Sequence, residues 1–372
     1  MQPQQSHRVL MILEWYYPIG GIEAFVHRLA EKFTPGTEVI LAVRYFGRTV
    51  PLSFHNPRVS VVKIPAQKRM AFLARLAREQ QVDIIHSHHI STLGVAALFA
   101  GIWTRTPVII SNHRVPVYRT FTWRDWFYIP VTCLWYSFFN NLAQCLTTPT
   151  ETVARLLRKI GIFRPIKVIS CGVDTALYQP APFQVVHPLK ILYVGRFAAD
   201  KNLDVLLDTF ILLRKRVDVE LTMIGSKETY MGNTWSHLEK KITAAGIEKY
   251  VHCPGHLAHD SKELIQHYQQ SDVFVLTSYY ETQSIVTLEA MACGLPVVAS
   301  RSGALPELVQ DGVSGYLFRP LDPTDLADKL AALLQDEPLR KKMAAAAREQ
   351  ALAHDITHSV QAFEALYQQL LK

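Results

Sequence analysis

Short apolar runs recur along this chain with longer helical stretches between them, in two consecutive series, and that rhythm restricts the fold more than any other feature. The first series occupies positions 8–13, 38–43, 59–64, 83–88, 107–113, 146–149 and 166–170. The second occupies 190–195, 220–225, 251–254, 272–278, 296–300 and 315–318. Apolar runs of this length read as strands buried on both faces, and strands that alternate with helices build parallel sheets. Two such series predict an α/β protein of two doubly wound, Rossmann-like domains. Between them, residues 178–188 hold three prolines and no Asp, Glu, Lys or Arg, the composition of a linker. The expected domains are therefore 1–178 and 179–355. A last helix, 356–372, sets Val360, Phe363, Tyr367 and Leu370 on one face and is expected to pack back on the first domain. At 372 residues and 49% apolar content, the chain has material for two cores.

Composition narrows the function classes. Five scattered cysteines without a C-x-x-C pair point to reduced thiols and a cytoplasmic setting, and the polar stretch 1–6 does not resemble a signal peptide. The net charge of +7 is uneven: residues 1–180 carry 20 Lys and Arg against 9 Asp and Glu. A basic first half implies an acidic partner there. Nucleic acid is set aside, since no reading motif occurs.

Ligands of doubly wound sheets bind beyond the carboxyl ends of the strands, and polar clusters fall at those ends. After the run 272–278 come Glu281 and, inside a helix capped by Ser284 and stopped at Gly294, Glu289. Such a helix N-terminus favours an anion such as a diphosphate, leaving the carboxylates to chelate sugar and ribose hydroxyls. After the run at 190–195 come Gly195, Arg196 and Lys201, cations suited to phosphate oxygens. After the first run comes the pair Gly20–Gly21, where backbone can approach a diphosphate.

Taken together, Gly20-Gly21-Ile-Glu23, Gly172-Val-Asp174, Gly195-Arg196 with Lys201-Asn202, Glu281 to Glu289, the run 289–298 and Asp311 to Phe318 resemble the retaining glycosyltransferases of family 4. The resemblance implies the GT-B fold, two Rossmann-like domains facing each other across a cleft. It implies sugar transfer from a nucleotide sugar such as a UDP- or GDP-sugar with retention, without metal or other cofactor. Residue by residue, it assigns Arg196 and Lys201 to the departing diphosphate, Glu281 to the donor sugar and Glu289 to the ribose. Backbone from Thr282 through Gln283 and Ser284 to Ile285 would contact sugar and phosphate, and Gly21 would line the phosphate. Gly255, His256 and Leu257 would edge the base, and His113 would bond a sugar hydroxyl, with His88 a weaker counterpart. Release of a rearranged nucleotide sugar, as in epimerases of the same fold, is the alternative chemistry.

His86, His88 and His89 have a spacing that could suggest a metal, but without nearby carboxylates it reads as structural. The acceptor is expected to be a membrane lipid or lipid-linked glycan, with a surface polysaccharide or lipopolysaccharide as the alternative. Thr282-Gln283-Ser284 is close to a Glu-Thr-Gln-Gly pattern of diacylglycerol glycosyltransferases, with serine for glycine. Ten aromatics between Tyr118 and Phe139 form an interfacial or packed segment, interrupted by Pro130, Asn140 and Asn141 and so not membrane-spanning. The helix 68–78, with Phe72, Leu73, Leu76 and Ala77 on one face and Lys68, Arg69, Arg75 and Arg78 carrying charge, is expected either to lie on an anionic membrane surface or to pack on the core. A peripheral position on the inner membrane face follows from the first option.

Overall fold

The computed structural model describes residues 6–16, 20–46, 54–113, 115, 125–182, 187–226 and 234–372, with 46, 125–129 and 234 described as backbone only. The chain forms two compact units, Met1–Cys171 with Ile356–Lys372, and Gly172–Asp355. The boundary thus precedes the proline-rich stretch instead of falling after residue 178. The cause is packing: Val173 bridges Asp355, and Val173 and Tyr178 are buried in the second unit's core. Arg348 fastens the same stretch by donating to the carbonyls of Thr175, Tyr178 and Ala292. Within the linker, 183–186 lie outside the described residues.

Among the described residues, the first unit carries a seven-stranded parallel sheet. Its strands are β1 (His7–Tyr16), β2 (Thr37–Phe46), β3 (Val59–Lys63), β4 (Ile84–Ser87), β5 (Val108–Ser111), β6 (Cys145–Thr148) and β7 (Ile166–Val168), in the order β3-β2-β1-β4-β5-β6-β7. The second unit has β8 (Leu189–Val194), β9 (Val219–Ile224), β10 (Val251–Gly255), β11 (Val273–Leu276), β12 (Val297–Ser300) and β13 (Gly315–Phe318), in the order β10-β9-β8-β11-β12-β13. Each of the thirteen predicted runs overlaps one of these strands, with ends that differ by up to three residues. β4, β5, β6, β11 and β12 are buried at every position, as strands covered by helices on both faces must be.

Strand order reverses between β1 and β4 in one sheet and between β8 and β11 in the other. These are the switch points, where adjacent loops diverge and leave a crevice. The helix Ile356–Leu370 belongs to the first unit: His86 Nδ1 lies 2.7 Å from the Tyr367 hydroxyl, and Ser359 Oγ donates to the Ser170 carbonyl.

The Arg69–Glu79 helix turns Leu73, Ala74 and Ala77 into the first unit's core, with Phe72 and Leu76 packed against it. Its apolar face is therefore occupied by protein, and the membrane option for that face is corrected to the core-packing one. In the aromatic segment, Tyr118, Phe121 and Trp123 lie outside the described residues, and Trp126, Phe127 and Tyr128 are described as backbone only. Among the described residues no helix is long and apolar enough to cross a membrane.

Candidate active site

The second unit's switch point gathers four of the expected residues. β8 ends at Val194, and the chain passes Gly195 and Arg196 into a short turn of helix, Ala199–Lys201. Asn202 then takes φ +48° and redirects it into the helix Leu203–Leu213. That left-handed geometry strains most side chains and is tolerated best by Gly, Asn and Asp. From the paired strand β11, the loop 277–284 leads into the helix Ile285–Ala292. The two loops are bound together: Thr277 Oγ1 donates to the Lys201 carbonyl at 2.7 Å, and the Tyr279 amide to the Asp200 carbonyl at 2.8 Å. A short ion pair results, Lys201 Nζ to Glu281 Oε1 at 2.6 Å, with each side chain 14% exposed. Arg196 stands exposed beside it, its Nη2 3.5 Å from Asp200 Oδ2. A cationic rim next to a half-screened lysine suits an anionic ligand with several oxygens.

Close approach of a side chain at one glycine and of backbone at another explains both. A Cβ on Gly195 would come within 2.7 Å of the Tyr193 hydroxyl, which itself donates to the Arg196 carbonyl. Gly303 has φ +54°, and a Cβ there would overlap the Glu281 carbonyl and stand 2.7 Å from its amide nitrogen. Ala304 meanwhile donates to the Glu281 carbonyl, and Ser300 and Ser302 hydroxyls donate to that of Ser278. The β12 loop is thus the floor that holds Glu281. Nothing in the sequence beyond a glycine after a strand signalled that role.

Ser284 caps the Ile285–Ala292 helix as expected, accepting from the Thr287 amide at 3.3 Å. Thr282 and Gln283 are half-buried in the approach to the helix, and Ile285 is buried. Glu289 sits one turn in, but its side chain is 0% exposed. Its Oε1 lies 3.2 Å from His259 Nδ1, and its Oε2 accepts from the Tyr268 hydroxyl at 3.1 Å. Burial and then the Glu289 charge hold the Tyr268 hydroxyl well above its ordinary range, so Tyr268 is a donor here. Sequence reasoning missed both partners: His259 lies two residues past the expected Gly255–Leu257 in the loop after β10, and Tyr268 lies inside the helix Lys262–Gln269. Gly255, His256 and Leu257 follow β10, with Gly255 at φ +97° and its carbonyl accepting from the Gly225 amide. His256 is exposed and Leu257 packs on the core.

The first unit's expected residues occupy its own switch point. Gly20 caps the helix Gly21–Lys32 after β1, although 17–19 lie outside the described residues. The Glu23 carboxylate folds back to where a Gly20 Cβ would be. An anion at that helix end must first displace it. Beyond β4 and β5 lies a buried imidazole chain: His88 Nδ1 is 3.2 Å from His113 Nε2, and Cys171 Sγ is 3.4 Å from His113 Nδ1. Both ring nitrogens of His113 are thus engaged inside the unit, and bonding a sugar hydroxyl requires exchanging one of these contacts. His86 contacts Tyr367 and Ser111 through its two nitrogens. Among the described residues, no three or more of His, Cys, Asp and Glu are grouped to hold a metal. Burial pushes the Cys171 thiol upward and that of Cys293 up to about 12, so neither is a thiolate nucleophile.

Two family models divide the chain almost as its units do. "Glycosyltransferase Family 4" matches residues 19–177, and "Glycosyl transferases group 1" matches 180–350. Sulfoquinovosyl transferase SQD2 of Arabidopsis thaliana is 30% identical over 89% of this chain and 66% of its own length. The chain therefore spans slightly under two thirds of that relative. Among solved structures, sucrose-phosphate synthase from Thermosynechococcus elongatus superposes with a TM-score of 0.83 at 20% identity, covering 98% of this chain and 99% of that one. Anabaena Alr3699/HepE, solved in complex with UDP-glucose, gives 0.82 at 20% identity, over 97% and 99%. At such identities these likenesses establish the fold, GT-B, and not the substrate. With the matched models spanning both units, the chain belongs to glycosyltransferase family 4.

Proposed function

We propose that this chain transfers a glycosyl group from a nucleoside diphosphate sugar to a hydroxyl of a membrane lipid or lipid-linked glycan, with retention and without a metal. The observation that carries the reading is the Lys201–Glu281 pair beside Arg196 at the β8–β11 switch point. In this reading the diphosphate draws Lys201 away from Glu281 and takes Arg196 as a second cation. Negative charge grows on that diphosphate as the bond from the anomeric carbon to its phosphate oxygen breaks, so the cations act most strongly in the transition state. Glu281, released from Lys201, accepts hydrogen bonds from the donor sugar. Glu289 takes the ribose hydroxyls once His259 moves aside. The acceptor oxygen attacks the face the diphosphate leaves, its proton passing to a phosphate oxygen, so configuration is kept without a protein nucleophile. The UDP-glucose complex of the Anabaena structure supports a uridine donor, with GDP-sugars the next class to try.

The acceptor reading rests on Thr282-Gln283-Ser284 and on the basic first unit, and the free cysteines support a cytoplasmic site of action. A thermal-shift screen with UDP, GDP, ADP and their sugars tests the donor half. Stabilisation by one nucleotide, lost in Lys201→Ala, is the expected result; no stabilisation by any of them would end the reading.

A further inference from the structure

The first unit leaves an apolar ridge uncovered on two helices that helix logic would otherwise solvate. On the helix Asp125–Asn140, Val131, Leu134, Trp135 and Phe138 are exposed, Leu134 at 70% and Phe138 at 61%. Their spacing is that of one helical stripe, so this is a continuous apolar face turned outward. On the helix Thr92–Thr104, Phe99, Ile102 and Trp103 are exposed in the same way. Phe139 joins the two: its ring meets Phe99 edge-on at 6.3 Å and lies 5.1 Å from those of Trp135 and Phe138. At the far end of the longer helix, the turn carrying Phe163, 79% exposed, is pinned by Ser137 and Asn141 to the Gly161 carbonyl. Scattered exposed apolar residues are ordinary, whereas a contiguous ridge marks an interaction surface.

Charge selects the occupant. Arg78 lies 5.6 Å over the Trp103 ring and donates to its carbonyl, and Arg164 donates to the Asn141 carbonyl beside Phe163. Lys159 and Arg105 are exposed at the same ends. Across positions 78–164, which span these cations, the sequence holds nine Lys and Arg against four carboxylates, Glu79, Asp83, Asp125 and Glu151. An apolar ridge carrying two tryptophans, with cations at its ends and an excess of basic over acidic residues, matches an anionic bilayer, whose apolar interior accepts the ridge and whose headgroups accept the arginines. A protein partner would need no such one-sided charge.

We infer that this ridge is where the first unit seats on anionic lipid, with Leu134, Phe138, Trp103 and Phe163 inserted and Arg78 and Arg164 at the headgroups. This deepens the lipid-acceptor part of the proposed function and rests on it, yet uses none of the donor residues. The test is flotation of the full chain with vesicles of phosphatidylcholine and phosphatidylglycerol, against phosphatidylcholine alone, at low and high salt. Binding is expected only with phosphatidylglycerol and weakens with salt. Leu134→Ser with Phe138→Ser lowers it on the order of 100-fold, while Arg78→Gln and Arg164→Gln each lower it about fivefold. Melting temperature and donor hydrolysis in solution stay unchanged in all of them. Absence of wild-type binding, or equal binding by the apolar double variant, overturns the inference. So does a dimer in solution abolished by that double variant without vesicle binding, which gives the ridge to a second copy. Donor hydrolysis reports separately on the transfer reading, so the two failures are distinguishable.

Discussion

Lys201 and Glu281 are each other's counter-ions, and their low exposure makes their fates linked. Removing either leaves the other as a half-screened charge, which costs up to about 3 kcal/mol, while removing both leaves none. Lys201→Ala and Glu281→Ala are each expected to lower turnover ~10² to 10³-fold and to reduce stability, with the double variant inactive but partly restored in stability. Urea unfolding with initial rates checks this; full turnover in either single variant removes that residue from the mechanism. Gly303→Ala forces a left-handed alanine against the Glu281 backbone. It should lower activity together with melting temperature, whereas Gly246→Ala, at positive φ but with open space around it, should lower only the second. Lys201 and Glu281 were legible as strand-end charges. Their pairing was not, because it depends on β8 and β11 lying side by side though 80 positions separate the two residues. The burial of Glu289 was hidden likewise, since His259 and Tyr268 reach it from another strand end and another helix.

Elements were the most readable level, for a physical reason. A strand covered on both faces must be apolar along its length, and that signal survives in sequence without neighbours. Helix fates are less legible, because amphipathicity says that a face is buried but not in what. The Arg69–Glu79 helix shows this: its apolar face meets the first unit's core, and the outward apolar surface comes instead from Thr92–Thr104, which is apolar nearly all round. For the helix Ile285–Ala292, the Ser284 cap is the element-level handle. Ser284→Ala should cost about 1 kcal/mol and weaken donor binding, while Ser284→Gly should cost less, as glycine is the better cap of the two. Chemical unfolding with nucleotide titration separates these outcomes, and equal effects from both substitutions would remove the cap from the argument.

For the whole molecule, two units with separate cores imply separately measurable stabilities, and protonation distinguishes them. His86 is fully buried and its pKa is lowered to about 3, first by desolvation and then by His113; His88 is lowered by burial and by both neighbouring imidazoles. A depressed folded-state value means that the unfolded chain binds protons the folded chain refuses. Stability is therefore complete above about 6.5 and falls as pH drops from there towards 3. Five of the six tryptophans lie in the first unit's sequence, so tryptophan fluorescence should report its unfolding at progressively lower denaturant between pH 7 and 5. A midpoint independent of pH would contradict the neutral imidazole cluster. The two-unit plan was legible from the twin series of strands, while the boundary at Cys171 was not, because Val173 and Tyr178 commit to the second core through contacts far along the chain.

Proton NMR of the anomeric signal distinguishes transfer with retention from transfer with inversion. The chain is incubated with UDP- and GDP-sugars and a lipid extract in the presence of a chelator. A new glycoside signal with the donor's own anomeric configuration is expected, absent with Lys201→Ala. An inverted product, a signal that disappears on chelation, or a rearranged nucleotide sugar formed without acceptor would contradict the proposed function.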